Sequence, residues 1–128
     1  MRIALVSTAQ KSGCPPIGLV YLASYIQGHS QYKTDIIDAN YQNIFRVDYS
    51  KYDLIGISAM TVNYTKALEL ANWIKFWCSI PIIIGGVHIS TCPESFNSIF
   101  DSMVIGEGER AFIELLFDLE TNNLKQKY

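Results

Sequence analysis

Hydroxyl, glycine and histidine side chains stand where several short apolar runs of this sequence end. Ser58 and Thr61 follow one run, and the Gly85-Gly86 pair and His88 follow the next. A hydroxyl can donate to and accept from the polar edge of a ligand, and a glycine pair lets a bulky ligand approach the backbone closely. These residue types therefore predict a binding site. A hydrolase is disfavoured, because no G-x-S-x-G turn and no convincing pair of nucleophile and base occur.

Each of these turns also has a simpler structural explanation. The Gly85-Gly86 pair is compatible with a tight turn between a strand and a helix, and Thr61 can cap the helix that follows. Glu107 suits the positive end of a helix dipole. His88 can form a hydrogen bond that only shapes its loop, and His29 lies at an expected helix end. Single motifs leave these alternatives open.

Five apolar runs alternate with segments of helical period, which is typical of a doubly wound parallel sheet. The runs occupy residues 3–7, 34–38, 53–58, 80–84 and 102–105. They are continuously apolar, as expected for strands covered by helices on both faces. Because right-handed crossovers leave few alternatives, we predict an α/β fold of the Rossmann or flavodoxin-like type, with a five-stranded parallel sheet of order 2-1-3-4-5.

Four helices are predicted after the first, third, fourth and fifth strands. They span about residues 16–27, 61–77, 91–100 and 109–119. Pro16 suits the first turn of the first helix, and Gly28 is expected to stop it. Thr91 and Glu94 have the spacing of a capping box at the start of the third helix. The connection over residues 41–51 is a poor helix and is expected to be short or irregular.

Length, composition and charge exclude several classes of protein. The 128 residues, of which 49% are hydrophobic and 17% charged, describe one ordinary globular domain. The net charge is −2 and no basic run occurs, so a nucleic-acid partner is not expected. No apolar stretch approaches the roughly 20 residues of a membrane span, and no signal-peptide pattern follows Met1. We predict a cytoplasmic domain over residues 1–120, with a polar segment 121–128 that frays or begins a linker.

Several cofactor sites are disfavoured by missing motifs. The cysteines Cys14, Cys78 and Cys92 are odd in number and widely spaced, which argues against a disulfide framework, a zinc site or an iron–sulfur site. No G-x-G-x-x-G follows the first strand and no phosphate-binding P-loop occurs. The acidic residues of a phosphoacceptor domain are replaced by Ser7-Thr8 and Ser58-Ala59.

Four segments carry specific motifs, in order and at the spacing of one domain. They are Pro15-Pro-Ile-Gly-Leu-Val-Tyr-Leu-Ala23, Asp53-Leu-Ile-Gly-Ile-Ser58, Pro81-Ile-Ile-Ile-Gly-Gly-Val-His88 with Pro93-Glu94, and Val104-Ile-Gly-Glu-Gly-Glu109. Together they resemble the cobalamin-binding domain that precedes the catalytic barrel in cobalamin-dependent radical S-adenosylmethionine enzymes. The resemblance covers nearly the whole chain.

The resemblance implies a cobalamin-binding module of a methyltransferase-like radical enzyme, in which cobalt carries a methyl group from S-adenosylmethionine to a substrate. The resemblance also implies that the dimethylbenzimidazole tail of cobalamin lies beside the sheet. Mutases ligate cobalt through the histidine of D-x-H-x-x-G, where this chain has Asp38-Ala-Asn40-Tyr-Gln-Asn43. We therefore expect no histidine ligand, no metal ligand and no catalytic residue in this chain. The iron–sulfur cluster and S-adenosylmethionine are expected only in a downstream barrel, because no C-x-x-x-C-x-x-C motif occurs here.

The expected cobalamin contacts are the residues that leave each strand, because open parallel sheets bind ligands outside the carboxyl ends of their strands. They are Thr8 and Pro16 after the first strand, Asn40 after the second, Ser58, Ala59, Met60 and Thr61 after the third, Gly85, Gly86, Val87 and His88 after the fourth, and Gly106 and Glu107 after the fifth. A bulky residue at Gly85 or Gly86 is expected to weaken corrinoid binding more than folding. The alternative is a flavodoxin-like interaction domain that docks against a barrel and no longer binds cobalamin.

Overall fold

A five-stranded parallel sheet forms the centre of this computed structural model, which describes residues 1–9 and 13–128. The strands are β1 (Arg2–Ser7), β2 (Lys33–Asp38), β3 (Leu54–Ser58), β4 (Ile82–Gly85) and β5 (Ser102–Met103). Their order is β2-β1-β3-β4-β5, and all neighbouring pairs are parallel. The predicted fold class and strand order are confirmed.

Helices cover both faces of the sheet. The helices are α1 (Ile17–His29), α2 (Tyr64–Trp77), α3 (Val87–Thr91) and α4 (Gly108–Glu120). Side chains of α1 and α4 pack on one face with Ile3, Leu5 and Ile83 of the strands. Side chains of α2 and α3 pack on the other face with Ile57 and Ile84. Because alternate strand residues point to opposite faces and both faces are buried, the strands are continuously apolar.

The connection between β2 and β3 contains no α-helix. Two short 3-10 turns, Ile44–Arg46 and Tyr49–Lys51, occupy it, and Tyr49 is buried against the α2 face. The irregular connection expected from the sequence is therefore confirmed. No helix among residues 1–9 and 13–128 combines the length and the apolar character needed to cross a bilayer.

Two predicted helix boundaries are wrong. Helix α1 continues through Gly28 and ends at His29, where the Ser30 hydroxyl donates to the Ile26 carbonyl over 2.7 Å. No helix spans residues 91–100, because α3 begins earlier, at the Gly86 turn, and already ends at Thr91. The Thr91 hydroxyl donates backward to the Val87 carbonyl over 2.9 Å and caps no following helix. A single 3-10 turn, Pro93–Ser95, follows α3.

The last residues of the chain lie along the free edge of β5. The Tyr128 amide donates to the Met103 carbonyl over 2.9 Å, and the Ile105 amide donates to the Tyr128 carbonyl over 3.0 Å. The Tyr128 hydroxyl also donates to Asp118 of α4 over 2.8 Å. The segment expected to fray is therefore bonded to the sheet, because it satisfies edge groups that would otherwise face water. The domain boundary at residue 120 and the linker stay predictions.

Candidate functional site

A cavity of about 230 Å³ lies between helices α1 and α4 and the carboxyl edge of the sheet, where the strands end. We call it the α1–α4 cavity. Its apolar lining consists of Leu5, Leu19, Leu22, Ile57, Ile83, Val104 and Phe112. Ser58, Glu107 and Glu109 add polar groups to the same lining. The cavity is thus a mainly apolar space with a few polar side chains, as small-molecule sites commonly are.

Glycines keep this cavity open. Gly18, Gly56, Gly85, Gly86, Gly106 and Gly108 all line it. A Cβ atom added at Gly18 or Gly106 would have no heavy atom within 4 Å, and one at Gly85 would lie 3.8 Å from its nearest neighbour. Side chains at Gly18, Gly85 and Gly106 would occupy space that is now open.

Gly86 is different, because the fold itself requires glycine there. Its backbone has φ +97° and ψ −175°, a conformation that is essentially restricted to glycine. A Cβ atom would lie 2.8 Å from both the Ala59 carbonyl oxygen and the Ser58 hydroxyl oxygen. The expectation that a bulky residue at Gly86 disturbs ligand binding more than folding is therefore wrong, because the added atoms would collide with the end of β3.

Thr8 is buried and joins the ends of two strands. Its hydroxyl lies 3.1 Å from the Ser58 carbonyl oxygen and 3.0 Å from Oδ1 of Asn63. The same Asn63 oxygen accepts a hydrogen bond of 2.8 Å from the Met60 amide. Thr8 therefore holds the loop after β3 in place, and its hydroxyl is already engaged with protein atoms.

His88 lies in α3 and is only 9% exposed. Its Nδ1 lies 3.1 Å from the Thr61 hydroxyl oxygen, and its Nε2 lies 2.9 Å from the Ser95 hydroxyl oxygen. The imidazole packs on the ring of Tyr64, with 4.1 Å between the ring centroids. Burial raises the pKa of the Tyr64 hydroxyl. The hydrogen bonds to Thr61 and Ser95 thus give both ring nitrogens of His88 a protein partner.

Asn40 lies in the turn after β2 and does not line the α1–α4 cavity. Its amide nitrogens in the backbone and the side chain donate to Oδ1 of Asp38 over 2.9 and 3.1 Å. The other carboxylate oxygen of Asp38 is buried without a partner among the described residues. Asn40 and Lys66 line a separate open groove.

The structure thus divides the predicted site residues into groups. Ser58, Gly85, Gly86, Gly106 and Glu107 line the α1–α4 cavity. Ala59, Met60 and Thr61 follow β3, and Val87 and His88 begin helix α3 after β4. The Met60 and Val87 side chains are 43% and 62% exposed. Thr8 lies buried behind the loop after β3, Pro16 precedes α1, and Asn40 lies apart.

The sequence reasoning missed the inner walls of the cavity. Leu5, Gly18, Leu19, Gly56 and Phe112 lie inside strands and helices rather than after them. One signal was present, since a glycine inside an apolar strand, such as Gly56, often marks a close approach of a ligand or another chain segment. The described residues contain no group of three or more His, Cys, Asp or Glu side chains that could hold a metal ion.

The fold is a parallel α/β domain with a cavity at the carboxyl edge of its sheet. Comparison with known families is more specific, because the model of the B12-binding domain matches residues 3–116. This match covers most of the chain. The chain therefore belongs to the B12-binding domain family.

Known relatives are longer proteins. The chain is similar to bacteriochlorophyllide d C-8(2)-methyltransferase of Chlorobaculum tepidum, with 31% identity over 98 residues, which are 77% of this chain and 21% of that protein. An uncharacterized methyltransferase of Pyrococcus horikoshii is 31% identical over 112 residues, 80% of this chain and 24% of that protein. The chain spans about a fifth to a quarter of the length of these relatives.

A solved structure has the same fold. TsrM, a radical S-adenosylmethionine methyltransferase from Kitasatospora setae, matches 94% of this chain with a TM-score of 0.78. The match covers 26% of the TsrM chain, and the identity is 17%. At this identity the likeness concerns the fold alone.

Proposed function

We propose that this chain is the cobalamin-binding module of a radical S-adenosylmethionine enzyme of the methyltransferase type. The module would hold the corrinoid at the carboxyl edge of its sheet without a histidine ligand to cobalt. The observation that carries this proposal is the α1–α4 cavity, a glycine-lined apolar space at the edge where open parallel sheets bind ligands. Membership of the B12-binding domain family supports the choice of ligand.

The residues of the cavity suit the tail of cobalamin. Its walls, which include Leu19, Ile83 and Phe112, would shield the flat benzimidazole ring from water. Ser58 places a hydroxyl in the same lining, where it would meet the polar edge of that ring. The exposed side chains of Met60 and Val87 are available to contact the corrin. When bound, cobalamin supplies a cobalt ion that can carry a methyl group.

The histidines of this chain are poorly placed to ligate cobalt. His29 ends α1 at the opposite, amino edge of the sheet, and His88 has both ring nitrogens engaged. Asn40 replaces the histidine of the mutases, and the thioether of Met60 prefers softer metals than oxidised cobalt. Paramagnetic resonance of the cob(II)alamin-loaded protein should therefore show no splitting from a protein imidazole. Nitrogen splitting that disappears in His88→Ala would contradict this part of the proposal.

The main test is retention of cobalamin. We expect corrinoid absorbance to elute with the protein on gel filtration. We expect Gly85→Leu to weaken binding by about five- to 150-fold, because the side chain would enter the cavity and overpacking typically costs about 1–3 kcal/mol. Gly28→Leu is the control, since an added Cβ there has no neighbour within 4 Å and Gly28 lies near the end of α1, away from the cavity. Equal binding by Gly85→Leu and the parent chain would show that the cavity is not the site.

A second candidate function is a docking domain of such an enzyme that no longer binds cobalamin. An exposed aromatic cluster on α2 favours it. The ring centroids of Trp73 and Trp77 lie 5.8 Å apart, and those of Phe76 and Trp77 lie 4.9 Å apart. The exposed fraction is 43% for Trp73, 64% for Trp77 and 76% for Phe76. Large exposed apolar patches commonly mark interaction surfaces. Failure of the parent chain to retain cobalamin would select this candidate.

A further inference from the structure

The hydrogen bonds around His88 define its protonation pattern. The Ser95 hydroxyl lies 2.6 Å from the Cys92 carbonyl oxygen and donates its proton there. The Ser95 oxygen is therefore an acceptor for His88 Nε2, 2.9 Å away, and Nε2 carries the proton. A neutral imidazole has one donor and one acceptor nitrogen, so Nδ1 accepts the hydrogen bond of 3.1 Å from the Thr61 hydroxyl.

The same residue also joins the backbone of two loops. The His88 amide donates to the Ala59 carbonyl over 3.1 Å, and the Ala59 amide donates to the Gly85 carbonyl over 3.2 Å. The Tyr64 ring packs on the imidazole, and its hydroxyl donates to the Ser95 carbonyl over 2.7 Å. One buried ring thus connects the loop after β3, helix α3 and the turn Pro93–Ser95.

We propose that His88 is a positioning residue that presets the carboxyl edge for its ligand. As the Nε2–H tautomer, it fixes Thr61 and thereby the loop that begins at Ser58, next to the Gly86 turn. Ser58 and Gly86 line the α1–α4 cavity, so His88 acts on the cavity without lining it. The identity of the ligand rests on the proposed function, whereas the hydrogen-bond network belongs to the chain itself.

The tautomer can be read directly from the ligand-free chain. Long-range proton–nitrogen correlation spectra should show His88 protonated at Nε2 and unprotonated at Nδ1. His29 provides an internal reference, because its ring also stacks on a tyrosine, Tyr25, at 4.0 Å, and its Nδ1 lies 2.9 Å from the Tyr25 carbonyl oxygen. A carbonyl oxygen can only accept, so the His29 proton should lie on Nδ1, the opposite pattern. A proton on Nδ1 of His88 would overturn the proposal.

Two variants separate positioning from folding. His88→Phe keeps an aromatic ring against Tyr64 but loses both ring hydrogen bonds, and Thr61→Val removes one of them at an exposed position. Each lost hydrogen bond should lower cobalamin affinity by about three- to tenfold. Amide hydrogen exchange of residues 58–61 in the ligand-free chain should become faster in both variants. His29→Phe, at the other edge, should change neither quantity.

The readouts distinguish the two proposals. If the parent chain retains no cobalamin, the proposed function fails, and hydrogen exchange over residues 58–61 decides the role of His88 by itself. If the parent chain binds and both variants bind equally well with unchanged exchange, only the positioning role is overturned. Should His88→Phe fail to fold, Thr61→Val carries the same comparison.

Discussion

The two edges of the sheet are held together by different chemistry. At the amino edge, carboxylates fix the strand starts, since Asp53 accepts from the Arg2 amide over 2.6 Å and Asp101 accepts from the Ile82 amide over 2.7 Å. Asp101 also pairs with Lys75 of α2 over 2.7 Å. At the carboxyl edge, the contacts of Thr8, His88 and the Gly86 turn are hydrogen bonds and close approaches between uncharged groups.

This difference separates the groups that stabilise the fold, at the amino edge, from the groups that can contact a ligand, at the carboxyl edge. Paired charges at the amino edge are half-exposed and weakened by salt. The hydrogen bonds of Thr8 and of the backbone around Gly86 carry no charge, so salt screens them little, and they leave the glycine-lined α1–α4 cavity open beside them. We therefore expect substitutions at the amino edge to change stability alone, and substitutions at the carboxyl edge to change stability or binding according to which atoms they meet.

The largest loss of stability is expected for Gly86→Ala, because the added Cβ would disrupt packing at the carboxyl edge. The backbone conformation at φ +97° is strained for any residue with a Cβ, and that atom would lie 2.8 Å from the Ala59 carbonyl oxygen. Backbone strain of this kind costs about 1–3 kcal/mol and a core overlap a similar amount, so the free energy of unfolding should fall by about 2–6 kcal/mol. Urea unfolding followed by circular dichroism measures the loss.

Gly106→Ala is the matched control for that experiment. Gly106 also has a positive φ, +75°, but an added Cβ there would have no heavy atom within 4 Å. Its loss should be limited to the backbone strain, about 1–3 kcal/mol. Equal losses in the two variants would mean that the close approach of Gly86 to the end of β3 does not contribute.

A smaller effect is expected for Asp101→Ala at the amino edge. The substitution removes the acceptor of the Ile82 amide and the partner of Lys75. Loss of a hydrogen bond to a charged group should lower the free energy of unfolding by about 1.5–3 kcal/mol, while cobalamin affinity stays within about twofold of the parent chain. Asp101→Asn keeps an oxygen acceptor and should lose less. A large drop in cobalamin affinity with Asp101→Ala would contradict the separation of the two edges.

The architecture could be predicted from the sequence, because it depends on local patterns of apolar residues. Continuous apolar runs mark strands that are buried on both faces, and the handedness of crossovers then limits their order. Two local signals did not fix the helix boundaries. Gly28 lies inside α1, where a helical glycine costs only about 1 kcal/mol. Thr91 ends α3 because that helix starts at the Gly86 turn.

The candidate site could be predicted only in part. Residues at the strand ends, such as Ser58 and Gly85, were among the predicted residues because parallel strands end at one edge. The inner walls were missed, since Leu5 and Phe112 meet only after α1 and α4 have packed on the sheet. The hydrogen bonds of His88 to Thr61 and Ser95 join residues from three separate segments, and no spacing rule predicts them.

The smallest effect is expected for Asp35→Asn, which tests how much the Asp35 carboxylate stabilises the amino edge at different pH. Burial alone would raise its pKa, but hydrogen bonds from Arg2 and Tyr52 outweigh burial and hold the pKa below the usual value of 3.8. A carboxyl group with a lowered pKa stabilises the fold above its unfolded pKa, and this contribution disappears as pH falls below 3.8 through the folded value. Its side chain is 40% exposed, so the contribution should stay below about 1 kcal/mol. Asp35→Asn should therefore be slightly less stable than the parent chain near neutral pH, and urea unfolding should show the two converging in acid. A difference that persists unchanged below the folded pKa would show that the carboxylate charge is not what stabilises this edge.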